Sequence, residues 1–546
     1  MRKVLLLLII TFLTFFINAQ DDMPLVWKTK LGHNIIYHGT GLEERGYSFA
    51  ASDKEITVFQ NEDGKTIWTE SFKELTPELS KIDELIPFWK ANIILLFDRK
   101  PGKDQITCID IENGKLLWTT GKYQKVTEDV VIYIPEKDVI AISLKKKMVI
   151  INARTGEEIW STARLKGVIG KYIYNKDDRT MVLVNFVPDG LKAFFSEFKN
   201  QIVRIDMENG EILWENTFIG KGERKILTKD FVYNLDVHDG KIFLLLDGMQ
   251  VYDYNTGTNL WSAAFQFTCN GIVKKPSGTK RFGVYKAVAD PVIVGDDIYI
   301  LDMTGKKNKC LKKYNLQTGK LLWASKEIKG AWAIPGMELI GDKIMLQIGG
   351  KVETQYYRVY KSGDYMIYKW GKSLSEVNPF GVLAFNISDG SLAWQYDKFI
   401  KGITNTISFG KYYIVSSGEY LYSIDINTGA EIYEVPVSKG GVGQAVLILK
   451  YKDDVIVVIG EKGISTFKAA NGEFICSGKY KASELEDMID DIVIMKTDKV
   501  DIAAFDLNTC NYKQSNAKAE ATITVSKDGK YVYIYETKVV SKVKTR

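Results

Sequence analysis

Apolar residues run along this chain in short bursts, each closed by a polar turn. Tyr47 to Ala51 and Ile56 to Phe59 are followed by Asp63-Gly64, and Ile93 to Phe97 and Ile106 to Ile111 by Asn113-Gly114. Val139 to Leu144 and Met148 to Asn152 lead to Thr155-Gly156. The bursts are rich in Val, Ile and Tyr and bounded by Gly, Asp and Asn, so they predict short β-strands rather than helices. Asn-Gly and Thr-Gly between two such runs predict tight turns, because glycine reaches positive φ without a steric penalty.

A tryptophan opens the strand after most of these turns. In the phrase Ile109-Asp110-Ile111-Glu112-Asn113-Gly114-Lys115-Leu116-Leu117-Trp118 a strand, a turn and a second strand follow one another. The same spacing recurs at Gly64 with Trp68, Gly156 with Trp160, Gly210 with Trp214, Gly257 with Trp261, Gly319 with Trp323 and Gly390 with Trp394. Later copies are weaker: Gly429 leads to Tyr433, Gly472 to Ile475, and Thr509-Cys510 has lost its glycine. Trp27 stands near the start with no repeat in front of it, and the strands after Ala521 end without a tryptophan. Each interval has room for about four short strands, the unit of a β-propeller blade. The fold expected is all-β, with four-stranded antiparallel blades and with N- and C-terminal strands sharing one blade to remove a free edge. Ten turns plus the shared blade give eleven units, in one large ring or two.

Ile205-Asp206-Met207-Glu208-Asn209-Gly210-Glu211-Ile212-Leu213-Trp214 resembles the repeat of the pyrroloquinoline-quinone-type propeller family throughout. The resemblance covers about Trp27 to Lys513. It implies that Trp27, Trp68, Trp118, Trp160, Trp214, Trp261, Trp323 and Trp394 dock on the glycine turns of neighbouring blades, those of the nine glycines from Gly64 to Gly472. It does not carry an activity, because sites are grafted on folds. Family members that oxidise with the quinone have adjacent cysteines and a calcium held by Glu, Asn and Asp. This chain has no Cys-Cys and no Cys-x-x-Cys-His. The expectation is therefore a non-catalytic propeller with no catalytic, metal or cofactor residues, and no cofactor. A quinone-dependent dehydrogenase and a carbohydrate- or ligand-binding propeller are the alternatives.

Composition refines the address. The chain of 546 residues is 45% hydrophobic and 26% charged, with a net charge of +5, two of whose positive residues, Arg2 and Lys3, lie in the first three residues. So small an excess gives no reason to expect nucleic-acid binding. Arg2-Lys3, the apolar run from Val4 to Ile17 and Asn18-Ala19 read as a secretory signal peptide over 1–19, with the propeller region over 20–546. An uncleaved anchor would need a longer apolar run, and no later stretch predicts a transmembrane helix. The expected location is periplasmic or extracellular. The five cysteines fit no zinc pattern; they suit small core residues, with a Cys476–Cys510 disulfide one open pairing.

The repeat aspartates, such as Asp110, Asp206, Asp253 and Asp425, sit at one position before the turn, which suits an Asx hydrogen bond to local backbone better than calcium. His33, His38 and His238 form no zinc or triad motif. Three stretches depart from the repeat. Lys73 to Pro87 carries Leu75, Leu79, Ile82 and Ile86 at helical spacing. Phe267 to Pro291 holds Lys274, Lys275, Lys280 and Arg281. Tyr356 to Phe380 holds Tyr356, Tyr357, Tyr360, Tyr365, Tyr368 and Trp370. The last two fall in consecutive intervals, are longer than blades require, and combine aromatic anchors with cations. They are the expected partner-binding rim, for an envelope or extracellular protein.

Overall fold

The computed structural model describes residues 21–42, 45–79, 81–100, 102–126, 130–144, 147–165, 168–186, 200–218, 234–245, 248–264, 269–271, 281–285, 288–303, 309–362, 365–480, 484–496, 501–516 and 521–546. Among them the strands form eleven sheets, nine of four strands, one of five and one of six. Helix is confined to short turns such as Phe72–Leu75 and Trp89–Ala91. This is an all-β propeller fold of four-stranded antiparallel blades.

By contacts the chain divides into two compact units. One takes the described residues of Met1–Ser71 with Val437–Lys468 and Glu473–Arg546. Its blades are built from 37–71, from 445–468 with 474–479, from 484–516, and from a fourth sheet in which Leu25–Lys30 pairs antiparallel with Val539–Lys544. The terminal strands therefore share a blade. The other unit takes Phe72–Pro436 and Ala469–Gly472. Its seven blades run over 84–120, 131–162, 168–218, 234–264, 292–324, 336–396 and 403–436.

Blade stacking explains the apolar bursts. A sheet covered on both faces needs strands that are apolar at every position, and Tyr47–Ala51, Ile93–Asp98 and Val139–Ser143 are buried throughout. Strand parity then decides which neighbour each side chain meets. Ile140, Ile142, Val149 and Ile151 pack with Ile93, Leu95 and Phe97 on one side. Val139, Ala141, Met148 and Ile150 pack with Met181, Leu183, Val203 and Ile205 on the other. Each such aliphatic side chain contributes about 1.5–3 kcal/mol by leaving water.

The outermost strand of a blade alternates instead. In Leu116–Thr120 only Trp118 is buried, and in Glu158–Thr162 only Trp160. Trp118 reaches the turn of the following blade. Its indole N–H donates to the Ala153 carbonyl at 2.9 Å. Its ring lies flat on Gly156, where a Cβ would come within 2.6 Å of it. Gly156 has φ +71°, so glycine is required there by conformation and by space. The same pair of contacts joins Trp160 to Met207 O and Gly210, Trp214 to Tyr254 O and Gly257, and Trp261 to Leu316 O and Gly319. It joins Trp323 to Ile387 O and Gly390, and Trp394 to Ile426 O and Gly429. Within the first unit Trp27 does the same to Asn61 O and Gly64. In every case the accepting carbonyl is three residues before the glycine. The aspartate before the turn stiffens it: Asp253 Oδ1 accepts the N–H groups of Asn255 and Thr256, and Asp425 those of Asn427 and Thr428. These donors hold both carboxyls below the usual carboxylate range.

The two degenerate repeats keep the contact by other chemistry. Tyr433 lies against Gly472, and its hydroxyl donates to Ala469 O at 3.0 Å. The position four residues after Gly472 is Cys476, not Ile475, which is exposed. Cys510 stands where the next turn would have its glycine and keeps the left-handed conformation, with φ +58°. Cys476 and Cys510 are joined by a disulfide. A covalent bond thus replaces the ring-on-glycine contact between these two blades.

The helix expected over Lys73 to Pro87 is reduced to Phe72–Leu75. Pro77 disfavours helical backbone at Thr76 and ends it. Leu79 and Ile82 are buried in irregular chain, and Ile86 belongs to the first strand of a blade, Glu84–Phe88.

Two outcomes are expected. Trp214→Ala should lower stability by about 3–5 kcal/mol, whereas Leu213→Ala, at a side chain 45% exposed, should stay within about 0.5 kcal/mol; denaturant midpoints measure both. Reduction should cost the wild type about 2–4 kcal/mol, and the double variant Cys476→Trp with Cys510→Gly should be insensitive to reductant. A wild-type midpoint unchanged by reductant would contradict the assignment.

Candidate partner-binding site

The two long excursions form one sheet. The strand Lys343–Ser362 begins inside a blade, where Lys343–Gln347 pairs with Gly336–Ile340 on one edge and with Val382–Asn386 on the other. The register shifts between Ile348 and Gly350, and from there the strand and its partner Tyr365–Asn386 continue together past the blade. At ~3.4 Å per residue the ladder from Gly350 to Ser362 adds about 40 Å. Gly349 and Gly350 permit the exit. They have φ of +63° and +110°. A Cβ on Gly349 would overlap the carbonyl oxygens of Pro379 and Val377, and one on Gly350 that of Ile403.

The basic excursion joins this hairpin by backbone pairing. Beyond the blade, the edge that Gly336–Ile340 occupied is taken by Arg281–Tyr285, antiparallel, with Arg281 opposite Arg358 and Phe282 opposite Tyr357. Cys269–Gly271 pairs on the far side of Arg281–Tyr285. Tyr356, Tyr357 and Tyr360 therefore lie on one strand of the hairpin, and Tyr365, Tyr368 and Trp370 on the other. Arg281 lies on the added strand. Lys274, Lys275 and Lys280 lie outside the described residues. Cys269–Gly271, Arg281–Tyr285 and the whole described part of Tyr356 to Phe380 are strands, while Val288 makes only an isolated bridge to Ile334.

Three apolar residues at the root of the hairpin were not singled out by the repeat reading. Trp332 is 66% exposed, Leu374 68% and Ile400 84%. The segments that carry them bracket the root. Gly349 N–H donates to Ala333 O at 2.8 Å, and Ala333 packs with Val352 and Val377. Across the hairpin, Gly402 abuts Glu376. The Lys309 ammonium sits 5.0 Å from the Trp332 ring centroid. The available signal was that Trp332 is a tryptophan out of phase with any glycine turn.

The other polar candidates belong to packing. His33 bonds Thr57 at 3.0 Å, His38 stacks on Tyr535 at 4.2 Å, and His238 stacks on Phe243 at 4.2 Å. Burial lowers the pKa of His38. Among the described residues no group of three or more His, Cys, Asp or Glu is placed to hold a metal ion. Among them, too, no helix is long and apolar enough to cross a membrane.

The family model described as outer membrane protein assembly factor BamB matches residues 19–263 and 200–354, together more than half of the chain. The chain belongs to the BamB family. No curated protein matches it. Among solved structures, BamB from Moraxella catarrhalis is 13% identical, over 71% of this chain and 94% of that one, with a TM-score of 0.27. The computationally designed Ika8 protein is 14% identical, over 69% and 96%, with a TM-score of 0.34. The C-terminal WD40 domain of Sif2 is 11% identical, over 68% and 90%, with a TM-score of 0.34. The BamB family match ends at residue 354, within the first strand of the long hairpin.

Gly350→Ala is expected to lower the denaturant midpoint clearly more than Gly341→Ala. Both glycines have positive φ, but Gly341 has open space around it and φ +59°, a left-handed value that costs alanine about 1–2 kcal/mol. Equal shifts would show that the hairpin root is not constrained by Ile403.

Proposed function

We propose that this protein is an exported, non-catalytic propeller that serves as a protein-interaction scaffold in the cell envelope. Its contact surface is the protruding sheet of Arg281–Tyr285 and the long hairpin, with the exposed apolar root beside it. The observation that carries the reading is the pairing of the two excursions into one sheet on the propeller. A scaffold needs a rigid, blade-anchored surface, and ladder hydrogen bonds supply rigidity that a loop lacks. Aromatic and Arg residues concentrated there suit an interface core. Family membership supports an envelope-associated, protein-binding role. The leader-like first nineteen residues and the Cys476–Cys510 bond, which suits an oxidising compartment, support export.

The test is site-specific photo-cross-linking in living cells. A photoreactive residue at Leu374 or Ile400 is expected to give one discrete adduct with an envelope protein. The same probe at Ile159, an exposed position on another blade, should give none. That envelope protein should no longer co-purify when 351–376 is replaced by a two-residue turn. Co-purification at the wild-type level with this folded variant would overturn the reading, as would retention of the protein in the cytoplasm.

A further inference from the structure

Register divides the protruding sheet into two chemically different faces. Residues opposite one another share a face, and alternate residues along each strand lie on opposite faces. Phe282, Tyr357 and Trp370 fall in one row across three strands, with Val359 and Tyr368 in the next. The other face carries the row Arg281, Arg358 and Lys369. Beside that row stands Gly283, Tyr356 and Gly371, and beyond it Tyr285, Thr354 and Ser373.

A sheet does not favour such a row by itself. Like charges directly opposite on neighbouring strands are destabilising, and here three cationic residues follow one another. The adjacent row has glycine on either side of Tyr356. Glycine inside a strand weakens it, and it marks places where another backbone approaches closely. The two departures from good strand chemistry are neighbours on one face. Charge differs between the faces as well: among the described residues of 281–285 and 351–377 this face carries Arg281, Arg358 and Lys369 with no acidic residue, whereas the other carries Lys351, Lys361 and Lys372 together with Glu353 and Glu376.

We propose that this face binds an acidic, extended segment of a partner protein. The carboxylates of the segment lie along Arg281, Arg358 and Lys369, and its backbone runs over the Gly283–Tyr356–Gly371 row. The Tyr, Thr and Ser row beyond supplies hydroxyls for its remaining polar groups. This inference rests on the scaffold reading above and names the chemistry of its partner.

The probe is a synthetic twelve-residue peptide of alternating Glu and Thr, titrated against the full mature chain by fluorescence anisotropy, with a Lys-Thr peptide as control. The acidic peptide should bind and the basic one should not, and raising salt from about 50 to 300 mM should weaken binding several-fold. The double variant Arg358→Glu with Lys369→Glu should weaken it at least about tenfold. Arg358→Gln should leave the denaturant midpoint at low salt unchanged or raised, because it relieves the like-charge row. Peptide binding that survives the double reversal would overturn the proposal. So would a midpoint lowered by Arg358→Gln, or a row that takes a sulfated polysaccharide or anionic phospholipid vesicles while ignoring the peptide. A cross-link at Leu374 with no peptide binding leaves the scaffold reading standing and removes this one. No cross-link at Leu374 removes the scaffold reading, and the titration still decides the row.

Discussion

The fold depends on a single repeated contact, an indole laid on a glycine turn. Two constraints act at once. The turn glycine must be left-handed, and it must have no Cβ because a ring from the preceding blade occupies that space. The indole N–H then donates to the carbonyl three residues before that glycine, so the ring is fixed in position as well as in depth. Hydrophobic burial between blades is large but non-directional. Within each unit the docking contact supplies the missing direction and sets a blade's position against its neighbour.

The substitutions at this contact show which part of it matters. Tyr433 keeps both functions, with a hydroxyl in place of the indole N–H. The Cys476–Cys510 bond abandons aromatic packing and hydrogen bonding together, yet joins the same two positions in the repeat. Cys510 even retains the left-handed backbone of the glycine it replaces. What is preserved is the tie between the outer strand of one blade and the turn of the next.

The protruding sheet meets a different constraint. A hairpin that outgrows its blade loses the strand that covered its edge, and a bare edge invites unwanted pairing. Here the preceding excursion returns to cover one edge, along Thr354–Arg358, with Arg281–Tyr285, whereas along Tyr365–Val377 the opposite edge has no paired strand among the described residues. Gly349 and Gly350 allow the transition from blade to extension. The sheet is thereby continuous in backbone pairing with the blade it leaves.

Much of the fold was legible from residues alone. Strand positions such as Tyr47–Ala51 and Met148–Asn152, the tryptophan spacing and the shared terminal blade follow from local patterning. The reason is that turn chemistry and burial on both faces act over a few residues, and their requirements repeat. Counting four residues from Gly472 also finds Cys476, and the Cys476–Cys510 pairing that the sequence left open is the one the fold makes. The helix expected after Lys73 failed because apolar spacing alone cannot distinguish helix from irregular buried chain beside Pro77. The candidate site was legible only as two stretches that depart from the repeat. That Arg281 stands opposite Arg358, and Tyr357 between Phe282 and Trp370, was decided by tertiary structure. Strand register across residues distant in sequence depends on which edge is left open, and that edge exists only once the blades have assembled.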